Sequence, residues 1–257
     1  MSIDWFWLLA AGFFGGVLNS IAGGGSFITF PALLMAGVPV ISANATNTFA
    51  SCAGYLSGAY AFSDELRRYR KNLYLIIFIS ALGGVVGAWL LLQTPEALFR
   101  DAIPWLLLFA TVLFIFGARI NQTLRRLTVN QARMAGVGAV FLILLLLGIS
   151  IYGGFFNAGL GIISLSYLAL AGYSNINVMN AIKLLISCVV SVIAIAIFAV
   201  QDQIAWYEGT VVMAGTLSGG YVAARISKVI QQHHIRYFVI VTSVTITGIF
   251  FVKTYAG

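Results

Sequence analysis

The sequence predicts an all-α polytopic membrane protein built from two inverted repeats, each a Gly-broken helical hairpin followed by three transmembrane helices. Three observations carry this expectation. Of 257 residues, 61% are hydrophobic and 8% charged, whereas a water-soluble domain is about one quarter charged. The apolar runs are joined by short loops that alternate between Lys/Arg-rich and Lys/Arg-poor. Two glycine-rich interruptions, "NSIAGGGS" from Asn19 to Ser26 and "GGFFNAGLGIIS" from Gly153 to Ser164, resemble each other.

In chain order, Met1, Ser2, Ile3 and Asp4 precede an apolar run. They lack the basic start and small-residue cleavage site of a secretory signal peptide, so this first segment is expected to be retained. Residues 4–37 read as a first hairpin broken at Gly23, Gly24 and Gly25. The limb after the break has only about 11 residues, roughly 17 Å of helix, against about 30 Å of hydrocarbon. Stretches 42–62, 73–93 and 103–118 each approach the roughly 20 residues of a crossing and complete a first repeat over 1–134. A second repeat over 135–257 has its hairpin at 135–172 and spans at 178–200, 207–224 and 237–253. Whether the hairpins re-enter or span stays open.

Charge orients these segments. The formal net charge is +7, and 11 of the 14 Lys and Arg fall in three loops: Arg67, Arg68, Arg70 and Lys71; Arg119, Arg125, Arg126 and Arg133; Arg225, Lys228 and Arg236. Basic residues dispersed in this way make no nucleic-acid surface, but they place those loops in the cytoplasm by the positive-inside rule. The loops "QTPEALFRD", with Glu96 and Asp101, and "QDQ", with Asp202, are expected to face outward.

The repeat extends beyond the breaks. A shift of 138 pairs Gly15, Gly16, Asn19, Gly23 and Ser26 with Gly153, Gly154, Asn157, Gly161 and Ser164. A shift of 135 pairs Ala36 and Gly37 with Ala171 and Gly172, and a shift of 136 pairs Asn44 with Asn180, Ser51 and Cys52 with Ser187 and Cys188, and Gly83 and Gly84 with Gly219 and Gly220. Similarity over so long a period signals duplication. The basic loop at 63–72 corresponds to the Lys- and Arg-free loop at 199–208, so the halves point in opposite directions. A hairpin returning to its own side plus three crossings gives the same answer by parity, with both termini outside.

Inverted repeats with broken helices are transporter architecture, and substrates bind near the midplane where the breaks meet. Backbone N–H groups freed at a break are tolerated in a membrane only when buried in protein or lining a polar cavity, and their dipoles favour an anion. Glycine lets that anion approach the backbone, so Val at Gly24 or Gly161 is expected to strain a left-handed or otherwise unusual conformation. The candidate substrate-binding residues are Asn19, Gly23, Gly24, Gly25 and Ser26 at the first break, and Asn157, Gly161 and Ser164 at the second. Asn44, Thr46 and Asn47, with Asn180 and Lys183, join them from the spans that follow.

The first copy, "GFFGGVLNSIAGGGSFITFPALLMAGVPVISANATNTFAS", and the second, "GGFFNAGLGIISLSYLALAGYSNINVMNAIKLL", resemble the TauE/SafE family of sulfite exporters, also called the toluene-sulfonate uptake permease family. The likeness covers essentially the whole chain. It implies a multi-pass carrier of the bacterial inner membrane that moves sulfite or a related small sulfur-containing anion, most often outward. An anion channel, or an uptake permease for thiosulfate or a sulfonate, is the alternative, and a homodimer is left open.

The remaining features have plainer readings. Lys183 is the one cation well inside an expected span, and it either binds the anion or snorkels to the cytoplasmic interface from about five residues into its helix. Gly83, Gly84, Gly87, Gly219 and Gly220 read as close helix packing. Cys52 and Cys188 lie in apolar runs and read as small hydrophobes. His233 and His234 sit in a basic loop without the spaced partners of a zinc site, and no cofactor is expected. Acidic residues all map to loops or span ends, which leaves no clustered acid, base and nucleophile for an intramembrane enzyme. Nor is there an obvious internal proton relay, which leaves three couplings open: the membrane potential, at about 2.3 kcal/mol per charge per 100 mV, protonation of the substrate itself, or a cation held by Asn side chains and backbone carbonyls.

Overall fold

The structure, a computed structural model, describes residues 4–22, 24–68, 70–128, 137–226 and 232–255. Gly23, Arg133 and Lys228 lie outside the described residues, as do the side chains of Arg119, Arg125, Arg126, Arg225, Arg236, His233 and His234. The described residues form α-helices joined by short connections, in keeping with a polytopic membrane protein.

Helix α1 (Asp4–Ala22) ends at the triglycine, and α2 (Ser26–Met35) follows it with 10 residues, about 15 Å at 1.5 Å each. Pro31 inside α2 withholds one backbone donor. Gly37, at φ +84°, closes α2 in a Schellman turn in which Gly37 N–H donates to Leu34 O and Val38 N–H to Leu33 O. Pro39 then sets the entry to α3 (Val40–Ala61). A short helix α4 (Ser63–Arg68) turns the chain into α5 (Arg70–Gln93), and α6 (Glu96–Thr128) follows.

The second half repeats the order: α7 (Val137–Phe155), a break, α8 (Leu160–Leu170), α9 (Ile176–Val200), α10 (Trp206–Ile226) and α11 (Gln232–Tyr255). Gly172, at φ +87°, closes α8 with the bonds Gly172 N–H to Ala169 O and Tyr173 N–H to Leu168 O, matching the turn at Gly37. Asn175 caps α9 through its side-chain oxygen, which accepts from the N–H groups of Asn177 and Val178.

Two details differ from expectation. The stretch 103–118 is the interior of a 33-residue helix, because "EALFRD" forms its first turns instead of a loop. Pro95 leads into that helix, where a missing N–H costs nothing, and Glu96 and Arg100 pair one turn apart at 3.5 Å. Also, α9 begins at Ile176, so Lys183 lies seven residues in, about 10 Å from the start.

Among the described residues, four helices are by themselves long and apolar enough to cross a bilayer: Leu73–Gln93, Glu96–Gly117, Gly138–Phe155 and Ile176–Val200. Helix α3, of 22 residues, has the length but carries Asn44, Thr46, Asn47, Thr48 and Ser51, all buried in protein and so kept from lipid.

Packing follows the small residues. Helix α1 lies against α10 and α5 against α7. Side chains at Gly12, Gly16, Gly215 or Gly219 would strike the backbone of the facing helix in the first pair, as would side chains at Gly87 or Gly154 in the second. Helices α3 and α9 pack on each other at the centre, α6 on α11, α2 on α3 and α8 on α9. Exchanging α1, α2, α3, α5 and α6 with α7 to α11 leaves these principal pairings unchanged. Thr111 and Thr247, 136 residues apart, touch each other at 3.1 Å between their hydroxyls.

Candidate functional site

The two breaks bring the polar residues of both halves to the centre of the bundle, and each break needs glycine for its own reason. At the first, Gly25 has an ordinary right-handed backbone, φ −57° and ψ −38°, but an added Cβ would lie 2.5 Å from Gly15 O and 2.8 Å from Asn19 Cβ. The limbs of the hairpin touch there, backbone to backbone. At the second, the left-handed residue is Gly159, φ +83°, and not Gly161, whose Cβ position lies 3.4 Å from Lys183 Cδ. The strain expected at Gly161 is thus located two residues earlier, where the chain reverses into α8. Helix α8 has no side-chain cap. Leu160 N–H donates to Asn157 O and Ile162 N–H to Gly159 O. Gly161 N–H, between them, meets no backbone acceptor among the described residues.

Several predicted residues spend their polar groups on one another. Asn47 accepts from the Thr29 hydroxyl at 2.5 Å and donates to Ser26 Oγ at 3.1 Å, which ties α3 to the start of α2. Asn44 donates to Phe155 O, at the end of α7, at 2.8 Å. Thr46 Oγ1 accepts from Ala205 N–H and so caps the approach to α10. Ser164 returns its hydroxyl to Leu160 O within its own helix. Asn157, 1% exposed, uses both ends of its amide: Oδ1 accepts from Tyr55 OH at 2.9 Å, and Nδ2 donates to Ser191 Oγ at 2.9 Å.

A cavity of about 50 Å³ lies between the breaks. Of the predicted residues, Asn19, Ser26, Asn157, Gly161 and Lys183 line it. Asn44, Thr46, Asn47, Ser164 and Asn180 do not line it, and Gly24 and Gly25 lie in the turn leading to Ser26. Lys183 supplies the single charge on the lining, its ammonium held by Asn180 Oδ1 at 3.2 Å. The amide of Asn19 faces the same space with no hydrogen-bond partner among the described residues. Together these groups offer a cation, a free amide and a free backbone N–H to something negatively charged and small.

Sequence reasoning missed Tyr55, Gly159 and Ser191, and did not place Ser187 in the site although it lines the cavity. The signal was available. Tyr55 and Ser191 are 136 residues apart, the same shift that relates Asn44 to Asn180, and it also sets Lys183 opposite Asn47.

The family model described as "Sulfite exporter TauE/SafE" matches residues 8–250. A probable membrane transporter protein of Haemophilus influenzae is 29% identical over 242 residues, covering 94% of this chain and 92% of the relative. The probable membrane transporter protein YfcA of Escherichia coli K12 is 25% identical, covering 91% and 84%. A probable membrane transporter protein, ORF9, of a Sinorhizobium species is 27% identical, covering 93% and 89%. No solved structure matches the chain.

Proposed function

The chain belongs to the TauE/SafE sulfite exporter family and is a multi-pass membrane transporter, and on that premise we propose that the cavity between its two breaks binds a small sulfur oxyanion. The observation that carries the reading is that one cavity is lined by Lys183, Asn19 and Gly161, the amide of Asn19 and the N–H of Gly161 having no acceptor or donor partner among the described residues. An ammonium and N–H donors suit an oxyanion, since charge-assisted bonds are about twice as strong as neutral ones.

Size narrows the substrate. At about 10–15 Å³ for each enclosed water, 50 Å³ holds about three to five. Sulfite and thiosulfate, each of four or five heavy atoms, are of that scale, whereas an arylsulfonate is not. The duplicated turns at Gly37 and Gly172 and the exchange-invariant helix pairings support two inverted repeats around this site. In a bacterial inner membrane, the cytosol-negative potential then drives the anion outward.

Purified protein in liposomes tests the reading. Sulfite and thiosulfate should show saturable counterflow that an imposed potential accelerates, with toluene sulfonate weaker. Flux that never saturates would identify a channel, and flux of toluene sulfonate equal to that of sulfite would remove the size argument.

A further inference from the structure

Polar residues at equivalent positions of the two halves have unequal fates in this structure. Asn157 is bonded through both ends of its amide to Tyr55 and Ser191, while Asn19, its counterpart at a shift of 138, has no side-chain partner among the described residues. Tyr55 and Ser191 are themselves counterparts at a shift of 136, so exchanging the halves turns the pair of bonds made by Asn157 into a pair available to Asn19. A separate site repeats the pattern. Thr216 on α10 reaches Ala50 O on α3 with a hydrogen bond of 3.1 Å, sharing its one hydroxyl proton with Met213 O of its own helix at 2.9 Å. The equivalent bond would run from Ser80 on α5 to Ile186 O on α9, yet Ser80 Oγ is fully buried without a partner. A buried hydroxyl left unsatisfied costs about 1–3 kcal/mol, so a conformation that satisfies it has a driving force.

We infer that Tyr55 and Ser191 form a shared clamp that Asn157 occupies in this conformation and Asn19 occupies in the oppositely facing one, with Thr216 and Ser80 making and breaking their bonds in step. The inference rests on the inverted-repeat transporter reading above. The clamp lies where α3 and α9 meet, so whichever hairpin it holds is fixed against both central helices. The hairpin it releases is free to present its asparagine to the anion. Tyr55 and Ser191 are positioning residues in this scheme: they act on the substrate through the two asparagines.

The test needs no substrate, which separates it from the transport reading. A cysteine at Leu165, on the cavity wall, is placed in a chain with Cys52 and Cys188 replaced by alanine, and is labelled with an impermeant thiol reagent in right-side-out and inside-out vesicles. Asn157→Leu should lower labelling from the face favoured by the unsubstituted reporter chain and raise it from the other, changing the ratio by at least about fivefold for the lost bonds. Thr216→Val, nearly isosteric, should shift the ratio in the same direction and keeps the test valid if Asn157→Leu folds poorly. Asn19→Leu and Ser80→Ala should shift it in the opposite direction. Ratios unchanged in Thr216→Val and Ser80→Ala, or moved the same way by both, would overturn the clamp even if sulfite counterflow is intact. Equal labelling from both faces in every variant would overturn it too, as the mark of an open pore. Failure of sulfite flux with the four opposed shifts present would instead leave the clamp standing and refute the substrate.

Discussion

Lys183→Met is the sharpest test of the anion site, because it removes one charge and keeps the aliphatic stem beside Gly161, where an added Cβ would lie 3.4 Å from Lys183 Cδ. The ammonium reaches the cavity from about 10 Å along α9 and is steadied by Asn180 at 3.2 Å. Losing a hydrogen bond to a charged group costs about 1.5–3 kcal/mol. An ammonium about 4 Å from an anion adds up to about 4 kcal/mol at an effective dielectric of about 20, before desolvation of either ion is counted. Lys183 is only half-buried and faces a cavity wide enough for water, so the lower end applies. About 2 kcal/mol is then expected, a thirtyfold rise in Kd to within a factor of a few. The assay is equilibrium binding of radiolabelled sulfite to purified protein, with counterflow KM in liposomes as a check. Lys183→Arg keeps the charge but brings a planar fork that does not fit the space of a compact ammonium, so it should recover only part of the loss. A lysine that merely snorkels predicts affinity within about twofold of wild type for both variants, since an exposed interfacial charge is worth less than about 1 kcal/mol. That result would remove Lys183 from the site and leave neutral donors alone.

Other predictions separate roles that sequence alone gives equally to neighbouring residues. Gly25→Ala should abolish transport and lower thermal stability by about 2 kcal/mol or more, because its Cβ meets the Gly15 carbonyl and Asn19 with no flexible group to yield. Gly161→Ala meets only the Lys183 stem, so melting should change little while sulfite KM rises; equal damage from the two substitutions would count against this distinction. Ser164→Ala should leave KM within about twofold, as that hydroxyl is already bonded to Leu160 O, and a larger loss would return Ser164 to the site. For topology, a cysteine at Gln122 should be shielded from an impermeant reagent in intact cells while one at Gln201 reacts, and reaction of both from one side would refute inverted repeats.

Much of this protein was legible in the chain. In a bilayer each helix must satisfy its own backbone, so hydropathy and length mark helices almost directly, and only glycine and proline mark where they stop. The interruptions at Gly23 to Gly25 and between Gly153 and Ser164, and the placement of Lys183 inside a helix, followed from local composition. Boundaries were less secure where a helix continued past its apolar stretch, as α6 does at both ends, since the rule that reads lipid burial has nothing to say about amphipathic turns beyond it.

What tertiary structure alone decided is which polar groups are spent and which are free. Asn19 and Asn157 occupy equivalent positions in similar local sequences, yet one amide is bonded twice and the other opens on the cavity. The difference comes from Tyr55 and Ser191, which reach Asn157 from helices distant in the chain. Likewise Asn47 is sealed by Ser26 and Thr29, while its counterpart Lys183 lines the cavity. Sequence determines donor type and spacing, because these are local covalent facts. Whether a donor remains available depends on partners brought by long-range packing, and the two similar motifs of this chain meet different neighbours in the folded structure.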